Sequence, residues 1–389
     1  MFLANVSLFN FRNYGELDLA LERSATVLYG GNAQGKTNLL EAVALPALTR
    51  SPRTQQTAEM VRFGQLAARV TVAVQSELSR DELDVRISLA QPAGLDPSSG
   101  GGSPPAGRAA ASRRFTLNGA PRRSTDMVGA LRVVLFWPDD LQLIKGPGEG
   151  RRRFLNTLLS QLDRGHAREL NRYGHLLEQR NALLRAVREG RQPLDALEYW
   201  SGALAESGAI IMVERQRRLL ELHPIAAAFH RELSDDRERL ELRYRPAGVR
   251  IGEAPVELVA EQLKAAMRES RDEEIARGQT AVGPQRDDLE VWLDDHEARL
   301  FASQGQQRSI VLSLKLAELH YLAEVTGEQP VLLLDDVMSE LDPARRERLL
   351  AALQPGPQAL ITAADLNDLP KSILERAAIF RVDQGTVHA

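Results

Sequence analysis

Near its beginning the chain reads Gly30-Gly31-Asn32-Ala33-Gln34-Gly35-Lys36-Thr37. The apolar residues 25–29 before it are typical of a buried strand, and residues 38–48 after it have helical spacing. Strand, glycine loop and helix is the context in which this pattern cradles phosphate groups. Glycines let backbone N–H groups converge on an anion, and the following helix points its positive end at it.

These residue types assign roles within the loop. Lys36 is expected to reach the terminal phosphates of a nucleotide, and the Thr37 hydroxyl to ligate Mg²⁺. We therefore predict a nucleotide site over residues 30–38, ending at Asn38. The alternative is a chance match. The predicted strand before the loop and the predicted helix after it argue against that alternative.

A second segment, far along the chain, reads Val331-Leu332-Leu333-Leu334-Asp335-Asp336. The four apolar residues predict a buried strand, so Asp335 emerges at its carboxyl end, where ligands bind in open α/β sheets. Asp335 is expected to hold Mg²⁺, and Asp336 stands where a base can orient an attacking water. The alternative is that both acids only cap a turn before Pro343. Their combination with the glycine loop favours the catalytic interpretation.

A third segment, Ser303-Gln304-Gly305-Gln306-Gln307, precedes an apolar helical run. Ser303 is a good N-cap, and the uncharged neighbours leave N–H groups that can bind a second phosphate. The alternative is a plain capped helix. The order of glycine loop, helical insertion, Ser-x-Gly-Gln and acidic strand end favours phosphate binding.

Composition sets the class of protein. The chain has 389 residues, of which 43% are hydrophobic and 26% charged, with a net charge of -4. It has no cysteine, which excludes disulfides, thiolate metal sites and cysteine nucleophiles. The first residues do not form a signal peptide, and no apolar run approaches the ~20 residues that span a bilayer. We expect a soluble, cytoplasmic protein with no membrane contact.

Periodicity along the chain predicts its organisation. Strands alternate with helices on both sides of a Leu-, Ala-, Glu- and Arg-rich helical region, which indicates an α/β fold with a parallel or mixed sheet layered by helices. We predict an amino-terminal ATPase lobe at 1–148, an inserted helical subdomain at 149–280 and a carboxy-terminal ATPase lobe at 281–389. Residues 91–112, rich in Gly, Ser and Pro, should form a flexible hairpin tip or loop. Pro224 is expected to kink or break a long helix.

Together the three segments resemble the ATP-binding-cassette (ABC) ATPases, in the branch that holds the SMC proteins. The residues Ser339-Glu340-Leu341-Asp342 are similar to the D-loop of that class. The resemblance implies that Ser303, Gln304, Gly305 and Gln306 form a signature that contacts the γ-phosphate held by Lys36 of a second subunit. It also implies a D-loop role for Ser339 and Asp342.

Within that branch the chain is similar to the RecF-type recombination mediators of bacteria. The motifs that carry this resemblance span most of the chain: Phe11-Arg12-Asn13-Tyr14, Gly35-Lys36-Thr37-Asn38-Leu39-Leu40-Glu41-Ala42, Pro138-Asp139-Asp140-Leu141, Arg151-Arg152-Arg153-Phe154-Leu155, Gly283-Pro284-Gln285-Arg286-Asp287-Asp288-Leu289 and the signature. Transporter-type members carry Glu where this chain has Asp336, and a His after the next strand where this chain has residues 361–364. Both departures imply slow hydrolysis. The position of a Q-loop is open, with Gln142 and Asp139 as candidates.

The resemblance implies an ATP-dependent homodimer that grips double-stranded DNA near single-strand gaps. Its partners would be RecR and RecO, its downstream effect the loading of RecA on single-stranded DNA in gap repair, replication restart and the SOS response, and slow hydrolysis would time its release. A cassette ATPase that acts on a protein partner without binding DNA is the alternative, and a monomeric metabolic phosphotransferase is a third.

Arginine clusters are the candidates for DNA contact, namely Arg113, Arg114, Arg151, Arg152 and Arg153. For each cluster a solvated charged surface is the competing interpretation. For Arg12, contact with the nucleotide and pairing with an acid are both open.

Overall fold

The computed structural model describes residues 1–76, 79–90, 111–351 and 356–389. The segment predicted to be a flexible hairpin tip lies almost wholly outside these ranges. The described residues form two compact units, one of residues 1–138 and 326–389 and one of residues 139–325. We call them the sheet unit and the helical unit.

Elements are labelled in chain order across both units. The strands are β1 (Phe2–Phe11), β2 (Tyr14–Ala20), β3 (Thr26–Tyr29), β4 (Ala67–Gln75), β5 (Arg80–Leu89), β6 (Ala111–Leu117), β7 (Ala120–Arg122), β8 (Val133–Phe136), β9 (Leu240–Arg245), β10 (Asp288–Leu293), β11 (His296–Glu297), β12 (Val331–Leu334), β13 (Ala359–Ala363), β14 (Ala378–Asp383) and β15 (Thr386–His388). The helices are α1 (Lys36–Leu48), α2 (Ser124–Met127), α3 (Gln142–Lys145), α4 (Gly148–Leu162), α5 (Arg164–Arg188), α6 (Ala196–Leu233), α7 (Val256–Glu269), α8 (Arg271–Arg277), α9 (Ala298–Phe301), α10 (Gln304–Thr326), α11 (Val337–Glu340), α12 (Pro343–Ala351) and α13 (Lys371–Leu374).

The sheet unit contains the predicted parallel sheet, with strand order β15-β14-β3-β13-β12-β8. All pairs in it are parallel except β14 with β15. β12 and β13 are buried along their whole length, as strands covered on both faces should be. Because β13 lies between β3 and β12, the carboxyl ends of those two strands are separated by a single strand.

A second sheet in the same unit is antiparallel, with strand order β2-β1-β4-β5-β6-β7. The sequence-based prediction of one sheet did not separate it. Buried and exposed residues alternate along β4, so one face of this sheet packs on the core and the other faces solvent. α1 packs between the two sheets, and Leu39, Leu40 and Val43 belong to the shared core. The predicted Asn118-Gly119 turn joins β6 to β7, and both residues have the positive φ that such a turn requires.

The helical unit is built around α5, α6 and α7, whose apolar faces form its core. A short antiparallel sheet with strand order β11-β10-β9 packs beside α6. α6 includes Pro224 and ends at Leu233, so the predicted break does not occur. Among the described residues, none of the helices combines the length and apolar character needed to span a lipid bilayer.

Ion pairs tie the helices of this unit to the residues at the start of β10. Asp287 accepts a hydrogen bond from Arg215 of α6 at 3.1 Å, and Asp288 binds Arg151 of α4 through both carboxylate oxygens at 2.8 Å. Burial raises the pKa of Asp287 despite the opposing effect of Arg215. Removing one partner of such a buried pair typically costs ~3–5 kcal/mol, because the other charge is left uncompensated. Part of the motif at residues 283–289 therefore has a structural role.

Candidate nucleotide site

The glycine loop leaves the carboxyl end of β3 and turns into α1, as predicted. Its backbone requires glycine at two points, because φ is +152° at Gly30 and +120° at Gly35. A Cβ at Gly30 would lie 2.3 Å from the carbonyl oxygen of Val382 on the neighbouring strand β14. Ala33 also has positive φ, at 64°. The loop thus has the curled backbone in which N–H groups converge on an anion.

Thr37 and Asp335 are in direct contact, although 298 residues separate them. The Thr37 hydroxyl lies 2.9 and 3.0 Å from the two carboxylate oxygens of Asp335. The strand order explains this contact, since β3 and β12 end at the same edge with only β13 between them. The loop and the acidic strand end are therefore parts of a single site.

Thr362 completes the surroundings of Asp335, and the sequence analysis assigned it no role. Its hydroxyl lies 2.9 Å from Asp335 Oδ1, and it accepts a hydrogen bond from the Asp336 N–H at 2.9 Å. The register of β12 with β13 places it there, because Leu334 pairs with Ile361 one residue earlier. Asp335 is only 4% exposed, and this burial raises the pKa of its carboxyl group. Asp336 has a left-handed backbone with φ 52°, which ends the strand.

Lys36 folds back over the loop. Its Nζ donates to the carbonyl oxygens of Gly30 at 2.5 Å and Gly31 at 2.8 Å. Burial lowers the pKa of Lys36, while Asp336 and Asp335 act in the opposite direction. The ammonium group thus lies on the backbone of the glycine loop, close enough to both acids to be affected by their charges.

The signature segment lies in the helical unit and starts α10. Ser303 Oγ accepts a hydrogen bond from the Gln306 N–H at 3.3 Å, and the Ser303 N–H donates to Gln306 Oε1 at 2.7 Å. This reciprocal pair is a capping box, so the predicted N-cap is present. The Gln306 amide also donates to Glu238 at 3.0 Å, and the other oxygen of Glu238 lies 3.1 Å from Nε2 of the buried His230. Gln304 and Gly305 form the first turn of α10.

Comparison with known proteins identifies the family. Residues 2–387 match the family model described as RecF/RecN/SMC N terminal domain. A "DNA replication and repair protein RecF" of Symbiobacterium thermophilum is 43% identical over 394 residues, which cover 100% of this chain and 98% of the relative. The corresponding protein of Chloroflexus aurantiacus is 40% identical, with 100% of both chains covered. The chain belongs to the RecF family.

Solved structures agree with this assignment. A "recombination mediator protein RecF-ATP in RecFOR pathway" superimposes with a TM-score of 0.87 at 31% identity, covering 100% of this chain and 97% of that chain. An Smc head bound to the C-winged helix domain of ScpA gives a TM-score of 0.53 at 14% identity, which supports the fold alone. The RecF-family chain has the predicted ABC-type ATPase head fold, and it is an ATPase of that class.

The Arg12-Asn13-Tyr14 motif of this RecF-family chain holds the glycine loop from behind. Asn13 Nδ2 donates to the Gln34 carbonyl at 2.9 Å, and the Tyr14 hydroxyl donates to the Gly35 carbonyl at 3.0 Å. Asn38 in turn donates to Asn13 Oδ1 at 2.8 Å. The sequence analysis used these residues only as a motif shared with the family. Their role in supporting the loop is visible only in the fold.

We predict that Asn13→Ala weakens ATP binding about three- to tenfold, because a lost hydrogen bond typically costs ~0.5–1.5 kcal/mol. Asn13 contacts the backbone of the loop at Gln34, so the effect acts through the shape of the loop. Isothermal titration with a non-hydrolysable ATP analogue measures it. Asn5→Ala is the matched control, since the Asn5 side chain donates to the exposed Asp18 on β2. Equal affinities for the two variants would contradict the role of Asn13.

Arg12 pairs with an acid, as one of its two interpretations predicted. It donates to both carboxylate oxygens of Glu41, at 2.7 and 2.9 Å, and to the Glu59 carbonyl. Glu41 is fully buried in α1 and also accepts from Ser51 and Arg53. Arg53, unassigned by sequence, donates in addition to Asn38 of the loop and opposes the rise in the pKa of Asp335. The network fixes α1 beside the glycine loop.

The donor set at Thr37 and Asp335 fits Mg²⁺. This ion prefers oxygen ligands and is usually bound by one or two carboxylates together with substrate phosphates. In the described ranges no cluster of three or more His, Asp or Glu side chains could hold a metal by itself. A hydroxyl and a carboxylate at one edge of the loop therefore match an ion that enters with a nucleotide.

The D-loop candidates take part in local turns. The Ser339 hydroxyl donates to the Asp336 carbonyl at 2.8 Å, and Asp342 accepts from the Arg345 N–H at 3.0 Å at the start of α12. These contacts order the segment that follows the acidic strand end.

The structure corrects the DNA-contact prediction at Arg151. This side chain is almost fully buried, pairs with Asp288 and also donates to the carbonyls of Leu143 and Gly146, so it cannot reach a phosphate. Arg152 donates to the Asp287 carbonyl at 2.6 Å, whereas Arg153 is exposed and pairs with Glu149.

Proposed function

We propose that this chain is an ATP-dependent DNA clamp in recombinational repair. The observation that carries the proposal is the contact between the Thr37 hydroxyl and the Asp335 carboxylate, which joins the glycine loop to the acidic strand end. A loop with this partner binds a nucleotide together with its metal. Membership of the RecF family supports nucleotide binding, since the structure of a RecF at 31% identity has been solved with ATP.

Each site residue of the sheet unit has a defined task in this proposal. The N–H groups of residues 30–37 cradle the phosphates, and Lys36 neutralises their charge. Thr37 and Asp335 would hold Mg²⁺, which would offset the negative charge of the phosphates. Asp336 orients the attacking water, and as a carboxylate one methylene shorter than Glu it does so less effectively. Hydrolysis is therefore slow and times release.

Dimerisation supplies the remaining contacts. Ser303, with Gln304, Gly305 and Gln306, approaches the γ-phosphate held by Lys36 of a second copy of the chain. The capping box supports this role, because it fixes the start of α10 with the Ser303 hydroxyl at the helix end. A dimer closed by ATP in this way grips double-stranded DNA near a single-strand gap. RecR and RecO would be its partners, and loading of RecA its result.

Sedimentation velocity with ATP and Mg²⁺, with and without a labelled gapped duplex, tests the proposal. We expect an ATP-dependent dimer that co-sediments with the duplex, and a Lys36→Met variant that stays monomeric and free of DNA. An ATP-bound dimer that ignores DNA would favour a cassette ATPase acting on a protein partner. ATP binding without dimerisation would favour a monomeric phosphotransferase.

A further inference from the structure

The solvent face of the antiparallel sheet carries three arginines in one cross-strand row. Arg69 on β4 pairs with Arg86 on β5, and Arg86 pairs with Arg114 on β6. Residues directly opposite each other point to the same side of a sheet, and all three arginines are exposed. With strands ~4.8 Å apart the row spans roughly 10 Å. We call Arg69, Arg86 and Arg114 the arginine row.

The charge of the row is only partly balanced. Asp84, on the same face and 1% exposed, accepts hydrogen bonds from Arg69 and Arg86. Arg114 makes no ion pair with any residue that the structure describes. Like charges directly opposite on adjacent strands destabilise a sheet. The row is therefore an unfavourable arrangement for the isolated chain, and a bound polyanion would relieve it.

Besides Asp84, the neighbouring groups on this face include neutral donors, an apolar ring and, beyond that ring, Glu16, which pairs with Phe9. Ser88 on β5 pairs with Ser112 on β6, one row further along, and both are exposed. Phe9 on β1 lies opposite Arg69 and is 52% exposed. Guanidinium groups bind phosphate oxygens through their planar fork, and serine hydroxyls donate to the same oxygens. The combination matches a phosphodiester backbone.

We propose that the arginine row binds the phosphate backbone of duplex DNA. This proposal rests on the proposed DNA clamp and names a surface for it. It retains Arg114 from the sequence candidates and adds Arg69 and Arg86, which the sequence did not single out. Arg113 is not part of this surface. It pairs with the buried Ile87 on the opposite face of the sheet and donates to the Thr49 carbonyl.

Salt-dependent binding of a fluorescent duplex, measured with ATP and Mg²⁺, tests the surface. Each phosphate contact on duplex DNA contributes about 0.9 to the slope of log K against log salt concentration. The triple variant Arg69→Gln, Arg86→Gln, Arg114→Gln is expected to lower this slope by about 2 to 3 and to weaken binding by at least ~10-fold at low salt. ATP-dependent dimerisation should be unchanged.

Two further variants test whether a change in slope comes from lost phosphate contacts, and not from misfolding or from the change in net charge. Arg114→Gln alone leaves both partners of Asp84 in place, so it should fold normally and lower the slope by about 0.9. The charge-matched control is Arg191→Gln, Arg268→Gln, Arg277→Gln, three exposed arginines of the helical unit that each pair with a glutamate. The control should retain the wild-type slope.

The outcomes separate the surface from the clamp itself. If the wild-type chain binds duplex and both row variants keep the wild-type slope, the proposed DNA contact of the arginine row is wrong, while the proposed clamp function is unaffected. A loss in the row variants that is confined to single-stranded DNA, or an equal loss in the control, would also contradict the proposed contact. Failure of the wild-type chain to bind any duplex would contradict the proposed function instead.

Discussion

Asp335→Asn is expected to lower ATP turnover by ~100-fold or more, which corresponds to about 2.7 kcal/mol in the activation barrier. The substitution keeps the size of the side chain but removes the charge that would hold Mg²⁺ beside Thr37. The hydroxyls of Thr37 and Thr362 can still donate to the amide oxygen, so the site keeps its shape. Phosphate release under saturating ATP and Mg²⁺ measures the effect.

The same variant should not lose stability. Burial raises the pKa of Asp335 above its unfolded value, so the folded chain favours the protonated form. Stability then falls as pH rises from the unfolded pKa through the folded one, and at higher pH the ionised carboxylate is a cost that asparagine removes. Thermal denaturation at neutral pH should give a Tm no lower than that of the wild type. Asp383→Asn, at an exposed residue of β14, is the control for turnover. Turnover within threefold of this control would contradict the metal-holding role.

Ser303→Arg is expected to abolish ATP-dependent dimerisation while leaving ATP binding intact. Arginine removes the cap of α10 and places a bulky cation where a second copy would present its nucleotide. We expect the dimer dissociation constant to rise at least ~100-fold, or about 2.7 kcal/mol. ATP affinity should stay within about twofold, because the loop lies in the other compact unit. Sedimentation velocity and nucleotide titration give the two readouts.

A matched substitution separates the signature from the cap. Asp163→Arg removes the side chain that caps the start of α5, in the same unit but outside the signature. It should dimerise like the wild type. Ser303→Thr preserves the hydroxyl and the cap, so it should retain most of the dimer. Normal dimerisation of Ser303→Arg would remove the signature from the proposed mechanism.

Local patterns in the sequence predicted the parts of the site that depend on consecutive residues. The glycine loop, its flanking strand and helix, and the position of Asp335 at a strand end are all confirmed by the structure. Thr362 and Asn13 were not assigned roles. They reach the site through strand register and through a turn between two strands, and neither is visible as a spacing along the chain.

The same limit explains why the sequence did not predict which arginines lie together on the surface. Arg151 and Arg153 occur in one run, yet a helix turns neighbouring residues to different sides, so one is buried against Asp288 and the other is exposed. Conversely, the members of the arginine row are far apart in sequence and meet only because their strands pair. A cluster in the sequence was therefore a poor guide to a cluster in space.

The turn after β14 adds a constraint on how the protein is made. Gln384 donates its backbone N–H to the side chain of Gln34, 350 residues earlier, and the Gly385 N–H donates to the Gln34 carbonyl. At ~5–20 residues per second, the ribosome needs roughly 20 to 70 s to add that length of chain. During this time the glycine loop lacks these two backbone hydrogen bonds, although Asn13 and Tyr14 are already present. Truncations before Gln384 should therefore remove part of the support of the loop even though every residue of the glycine motif is present.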